Sequence, residues 1–273
     1  MNRLPIIGFG TYSLHGRVLH ESINIALSSG IVLFDTAYKY GNEFELSSII
    51  NTRNSAKKIF LQTKVSQKQL LGTLSKLRLD KKNIKKSYRT SCSNLNTKID
   101  VYLIHSYFDG CEKYYKKLID LQNEEKIPYI GICNVGIEQL KLIKNITGQF
   151  PMIIQVEIHP YNSQKRLIDF CHSNNIIIEA RSPFAHGDVM QEWINNDKLS
   201  RLSKYYDKTI PQLILRWLVQ QNVIPIYRSK NSQHIKENVE IFDFEISTTH
   251  MSMIDELNKN ISFGFVSKNN CML

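Results

Sequence analysis

Four residues able to move or steer a proton stand at the polar ends of successive apolar runs. Asp35 follows "IVLF", Tyr40 lies five residues on within "FDTAYKYGNE", Lys64 closes "LQTK" and His105 closes "YLIH". An ammonium beside a phenol favours the phenolate, so Lys64 near Tyr40 is expected to draw the phenol below its ordinary value of about 10. A carboxylate such as Asp35 would hold that ammonium by pairing with it. Together they form a proton donor. Any one of them, taken singly, is more simply the place where a strand turns polar; the right types in successive units weigh against that reading.

What could bring them together is a repeated unit. Short apolar runs at 6–10, 31–34, 59–61, 101–104, 129–133, 153–158, 176–180 and 223–227 predict strands. Helix-period segments lie between them, as in "ESINIALSSG", where Ile23, Ala26 and Leu27 share a face and Gly30 supplies a stop. Asn42 with Glu45 reads as a capping box, and Ser163 and Ser232 read as N-caps. Strands alternating with helices imply parallel pairing through right-handed crossovers, and eight such units can close into a (β/α)8 TIM barrel, the fold expected here. Reactive residues of that barrel sit at the C-terminal ends of its strands. Asp35, Lys64, His105, Asn134, His159, Arg181, Ser182, Arg228 and Ser229 all fall at such ends.

Composition sets the bounds. At 273 residues and 42% hydrophobic content the chain can bury one large core, so a single barrel domain over 1–273 is expected, with a tail from about 259. No window resembles a membrane span and the first residues resemble no signal peptide, so a soluble, cytoplasmic protein without a membrane partner is expected. The cysteines, five in number and without a C-x-x-C pair, argue for reduced thiols, and the histidines form no H-E-x-x-H, so no metal is required. The net charge of +10 includes a stripe of Lys81, Lys85 and Arg89, which reads as a solvated helix face and not as a nucleic-acid surface, since no stacking aromatics accompany it.

The motifs, taken in order, resemble the aldo-keto reductases, NAD(P)H-dependent enzymes on a (β/α)8 barrel. "GFGTY" is similar to the family's opening segment, and "FDTAYKYGNE" matches D-T-A-x-x-Y-x-N-E at every specified position. "TKV", "IDVYLIH", "KIPYIGICN", "QVEIHPYN", "SPFAHG", "LILRW" and "HIKENVEIFDFEIS" follow in family order, from about residue 6 to about 258. The resemblance implies reduction of an aldehyde or ketone, with Tyr40 as general acid, Lys64 and Asp35 tuning it, and His105 aiming the carbonyl. The hydride comes from the cofactor.

Cofactor contacts follow from the same likeness. Gly10, Thr11 and Asp35 lie in segments that approach the cofactor, and Cys133, Asn134 and Gln155 stand where the nicotinamide carboxamide is held. Gln155 also admits a plain reading as a satisfied core amide. "GFGTYS" is not a Rossmann loop, because Ser13 replaces the third glycine. Arg228, Ser229 and Lys230 precede a helix start near Ser232, a place that suits phosphate. Relatives usually carry lysine at the position of Arg228 and arginine at that of His234, while Glu237 and Asn238 match adenine contacts. NADP(H) is therefore expected over NAD(H).

Two departures stand out. Arg181, beside Ser182, replaces the aromatic residue that usually stacks on nicotinamide; it either turns away or disfavours the positive oxidised ring. Cys133 replaces a serine, a stronger donor. Tyr12, Tyr107, Phe108 and Trp193 are candidates for the wall of an apolar pocket, and the tail is a candidate cover. Two other functions stay open: a regulatory subunit that senses NADP(H) without turnover, and a barrel lyase or isomerase acting on a phosphorylated substrate.

Overall fold

The structure, a computed structural model, describes residues 4–51, 58–71 and 84–264. Its strands are β1 (Gly8–Gly10), β2 (Leu33–Asp35), β3 (Phe60–Val65), β4 (Val101–Ile104), β5 (Tyr129–Cys133), β6 (Ile153–Glu157), β7 (Ile177–Arg181) and β8 (Val223–Tyr227). They form a closed parallel barrel in chain order, β8 pairing back onto β1. The eight-unit expectation therefore holds, and the bounds shift in an informative way. Lys64 lies inside β3 and Arg181 ends β7, so the strands run further into polar sequence than their apolar runs suggested.

The reason is the two-residue period of a strand, which sends alternate side chains to opposite faces. Phe34, Leu61, Val65, Ile154, Val156, Ile178 and Ala180 face outward and join the large cluster beneath the helices. Leu33, Phe60, Val101, Leu103, Ile153, Ile224 and Ile226 face inward and make a separate apolar cluster. Two residues further along β2, β3, β6 and β7, the same inward positions carry Asp35, Gln62, Gln155 and Glu179. The barrel interior thus changes from apolar to polar toward the strands' C-terminal ends. Gly131 on β5 belongs to this inner face by steric need, because a Cβ there would meet the Ile153 carbonyl oxygen at 2.1 Å.

Helix starts differ from the expected caps. Asn42 precedes the helix Glu43–Ile50 but makes no side-chain cap, and Glu45 instead accepts from the Gly16 amide at 2.5 Å. The helix Lys165–Ser173 begins after Gln164, and the helix Ser232–Glu237 is capped by Asn231 rather than Ser232. Only in the last case does a neighbouring side chain take the role, Asn231 accepting from the Gln233 and His234 amides. Of the basic stripe, Lys81 lies outside the described residues; Lys85 pairs with Glu124, and Arg89 with Glu125 at 3.1 Å.

Candidate active site

The turn after β2 is held by its own sequence. Thr36 Oγ1 donates to Asn42 Oδ1 at 2.8 Å, and Asn42 Nδ2 donates to the Thr11 and Leu14 carbonyls at 2.8 and 3.0 Å. Glu43 accepts from Thr63 Oγ1 at 2.6 Å and from Asn94 Nδ2 at 2.8 Å. Gly41 closes the short 3-10 turn Tyr38–Tyr40 with φ of 72°, a left-handed conformation that glycine adopts without strain. So Asn42 fixes the turn, not a helix end. Tyr40 is thereby set over the barrel mouth.

The four candidates converge there. Lys64 is fully buried, and its Nζ donates to Asp35 Oδ1 at 2.5 Å and to the Thr36 carbonyl at 3.1 Å. It lies 5.3 Å from the centroid of the Tyr40 ring. The Tyr40 and His105 rings meet edge-on with centroids 5.5 Å apart, and Tyr12, largely exposed, meets Tyr40 at 5.1 Å. Thr11 donates through both its amide and its hydroxyl to the Asp35 carbonyl, which joins β1 to this cluster.

Its electrostatics depart from the expected sign. The Tyr40 ring is half-buried but its phenol oxygen is closely surrounded by protein. Burial pushes the phenol up to about 12, and Lys64 only partly offsets that rise. The expected net lowering is therefore overturned in the free protein, because desolvation exceeds the attraction of an ammonium already shared with Asp35. Burial depresses Lys64 too, but Asp35 and Tyr40 outweigh it, so the lysine is held charged. Burial, then Lys64, lowers His105 to about 3, which makes its imidazole neutral. His105 Nδ1 is buried without a hydrogen-bond partner in the protein.

Around this centre lies a network that sequence reading did not find. Asp35 Oδ1 also accepts from Gln62 Nε2 at 2.7 Å and Gln155 Nε2 at 3.2 Å. Both amides bond Glu179 Oε2 as well, at 2.7 and 2.9 Å. Gln155 is thus a satisfied core amide here, with Oε1 facing Cys133 Sγ at 3.9 Å. Burial pushes the Cys133 thiol up, so it stays protonated. The missed signal was a polar residue at every second position of an otherwise apolar strand, as in "FLQTKV" and "IIIEAR".

Arg181 is tied down on the rim. Nε donates to Asn134 Oδ1 at 2.8 Å, and Nη2 pairs with Glu157 Oε2 at 3.1 Å. Asn134 in turn donates to the His105 carbonyl at 3.1 Å. Burial alone would raise Glu157, but bonds from His159, the Phe263 amide and Ser262, with Arg181 nearby, bring it to about 2. The described part of the tail therefore rests on the rim: Ser262 Oγ and the Phe263 and Gly264 amides all donate to Glu157 within 2.9 Å.

The remaining candidates divide. Arg228 is half-exposed, with Nη1 donating to Ser13 Oγ at 3.2 Å; Ser229 and the exposed Lys230 and His234 share that end of β8. Asn231 occupies the Gln233 and His234 amides, so two of the helix N–H groups expected to be open to phosphate are already taken. Glu237 is half-buried and accepts from Gln233, whereas Asn238 is buried. Tyr107 is half-buried beside Glu112. Phe108 and Trp193 are buried core residues, packing on Tyr114 and on His159 and Tyr161. Both belong to the large apolar cluster rather than to an exposed wall, Trp193 from within the helix Met190–Ile194.

Comparison with known proteins agrees with this picture. The profile of the Aldo/keto reductase family matches residues 6–259. The oxidoreductase YtbE of Bacillus subtilis is 33% identical over 96% of this chain and 91% of its own length, and the glyoxal reductase of the same organism is 31% identical with the same coverage. The crystal structure of MGS-M4, an aldo-keto reductase from a deep-sea metagenome library, superposes with a TM-score of 0.88 at 29% identity, covering 99% of this chain and 97% of that one.

Proposed function

Since the chain belongs to the aldo/keto reductase family and is an NAD(P)H-dependent oxidoreductase of carbonyl groups, we propose that it reduces a small aldehyde or ketone with Tyr40 as proton donor. The observation that carries this reading is the meeting of Tyr40, Lys64, Asp35 and His105 at the barrel mouth. NADPH is the preferred cofactor. The bound dihydronicotinamide supplies the hydride.

Two features support a fit to that cofactor: the orphaned His105 Nδ1 beside Tyr40, and the cationic end of β8 formed by Arg228 and Lys230. Arg228, Ser229, Lys230 and His234 would hold phosphate, favouring NADP(H), with Glu237 and Asn238 toward the adenine. Gly10, Thr11, Asn134, Cys133, Gln155, Arg181 and Ser182 form the opposite end. There Asn134 donates one amide hydrogen to the His105 carbonyl and accepts from Arg181, which leaves its second hydrogen and second lone pair for a carboxamide, while Gln155 offers Oε1.

The chain's own chemistry is a proton transfer. A neutral His105 orients the carbonyl oxygen by donating a ring N–H without adding a charge near Lys64. Tyr40 then protonates that oxygen. An alkoxide is a stronger base than a phenolate, so the transfer runs downhill even from a phenol at about 12. As the phenolate forms, Lys64 stabilises it from within the barrel, and Asp35 keeps Lys64 in place.

The test is NADPH oxidation followed at its near-ultraviolet absorbance with a panel of small aldehydes that includes glyoxal. Turnover is expected in the wild type and not in Tyr40→Phe, with NADPH fluorescence quenching equal in both. Binding without wild-type turnover would instead identify a sensor. Arg228→Ala is expected to weaken NADPH more than NADH, and equal weakening would refute the phosphate assignment.

A further inference from the structure

The polar layer beneath Tyr40 holds two carboxylates and one ammonium. Asp35 on β2 and Glu179 on β7 approach from opposite sides, and the Gln62 and Gln155 side-chain nitrogens each lie within 3.2 Å of both. Of the two carboxylates Lys64 donates only to Asp35, its other bond going to the Thr36 carbonyl. Every other inward neighbour at this level is uncharged: Cys133 keeps its proton on β5, β8 presents Ile224 and Ile226, β4 presents Leu103 and β1 is glycine on this face. Glu157 and Arg181 lie one step nearer the rim and pair with each other. Glu179 is fully buried, and its Oε1 has no partner, nor does Oε1 of Gln62.

An amide nitrogen has two hydrogens, so Gln62 and Gln155 can each donate one to Asp35 and one to Glu179, which links the two acids. When Glu179 is ionised, it adds to this linked group a negative charge that Lys64 must also answer. When it is protonated, Asp35 and Lys64 balance. We propose that Glu179 is a positioning residue for the reduction: acting through Gln62, Gln155 and Asp35, its proton decides how strongly Lys64 can stabilise the phenolate of Tyr40. This rests on the reading of Tyr40 as proton donor. Glu179 is fully buried beneath the mouth, which sets it apart from the candidates there. Supporting the geometry, burial, then Asp35, raises the Glu179 carboxyl to about 7, with Gln62, Gln155 and Lys64 opposing. Its proton therefore exchanges in the neutral range.

The direction follows. Above about 7 the additional negative charge makes the Tyr40 proton harder to release, so kcat for reduction should fall as pH rises. The fall should be on the order of threefold to tenfold, as for one further unit charge in a partly screened site. Glu179→Gln, which keeps the shape and removes the ionisation, should flatten that step. Gln62→Met removes a donor from the ionised form and should move the step to higher pH. Melting supplies a readout free of turnover. A carboxyl raised from its ordinary 4.5 contributes stability below 4.5 that is lost as pH rises through about 7, so the melting point of E179Q relative to wild type should climb between pH 5 and pH 8.

The experiment measures kcat against pH at saturating NADPH and aldehyde, with melting curves, for wild type, E179Q and Q62M. A wild-type step that E179Q lacks and Q62M displaces supports the role. Superposable profiles, or a melting difference independent of pH, overturn it while leaving Tyr40 as donor intact. Absence of any wild-type turnover overturns the reduction itself and this role with it.

Discussion

Replacing Lys64 by methionine tests the centre of the site, because the change keeps the side chain's length and removes its charge. Lys64 is fully buried and its partner Asp35 nearly so, with 2.5 Å between Nζ and Oδ1. Stranding one member of a buried pair costs about 3–5 kcal/mol. Asp35 keeps the amide hydrogens of Gln62 and Gln155, which places the expected cost at the lower end, about 3 kcal/mol. For a chain of this size each kcal/mol moves the melting point by roughly 2–4 °C, so K64M should melt roughly 6–12 °C below wild type. Asp35→Asn added to K64M removes the stranded charge and should recover part of the loss. Without the ammonium, burial acts on Tyr40 unopposed, and kcat should fall by on the order of a hundredfold or more. Melting curves at pH 7 and NADPH oxidation provide both readouts. A K64M melting point within 2 °C of wild type, or a double variant whose losses simply add, would refute the buried-pair argument; near-normal kcat would refute the phenol argument.

Other perturbations reach the rest of the site. His105, lowered to about 3, should show no titration of its ring nitrogens between pH 5 and pH 8 by nitrogen-15 NMR; a midpoint near 6.5 would contradict its burial beside Lys64. Glu157, held at about 2, contributes stability above its ordinary 4.5 that is lost as pH falls through about 2, on the order of 3 kcal/mol. Acid melting curves should therefore converge for wild type and Glu157→Gln as pH drops from 5 to 2, and parallel curves would count against the rim cluster. Arg181→Tyr removes a cation facing the cofactor end and should raise the ratio of NADP+ to NADPH affinity by on the order of threefold, most of the charge being shielded by Glu157. Fluorescence titration measures it, and an unchanged ratio removes any role of Arg181 in cofactor redox preference.

Chain order carried the parallel α/β architecture, because apolar runs alternating with helix-period segments bury both as strands covered by helices; the motif order then pointed to the closed barrel, where Asp35, Lys64 and His105 fall on one rim. The motif around Tyr40 was equally legible, since Thr36, Gly41, Asn42 and Glu43 act within a few residues of it or on adjacent strands. Tertiary structure decided the rest. Whether Lys64 or burial governs the Tyr40 phenol depends on how much protein surrounds the oxygen, which no spacing encodes. That Arg181 binds Asn134 and Glu157 depends on the register of neighbouring strand ends, and that Glu179 shares amides with Asp35 requires strands far apart in sequence to face one another across the closed barrel. Phe108 and Trp193 read as pocket aromatics and pack as core for the same reason: an aromatic residue's exposure is set by what folds over it.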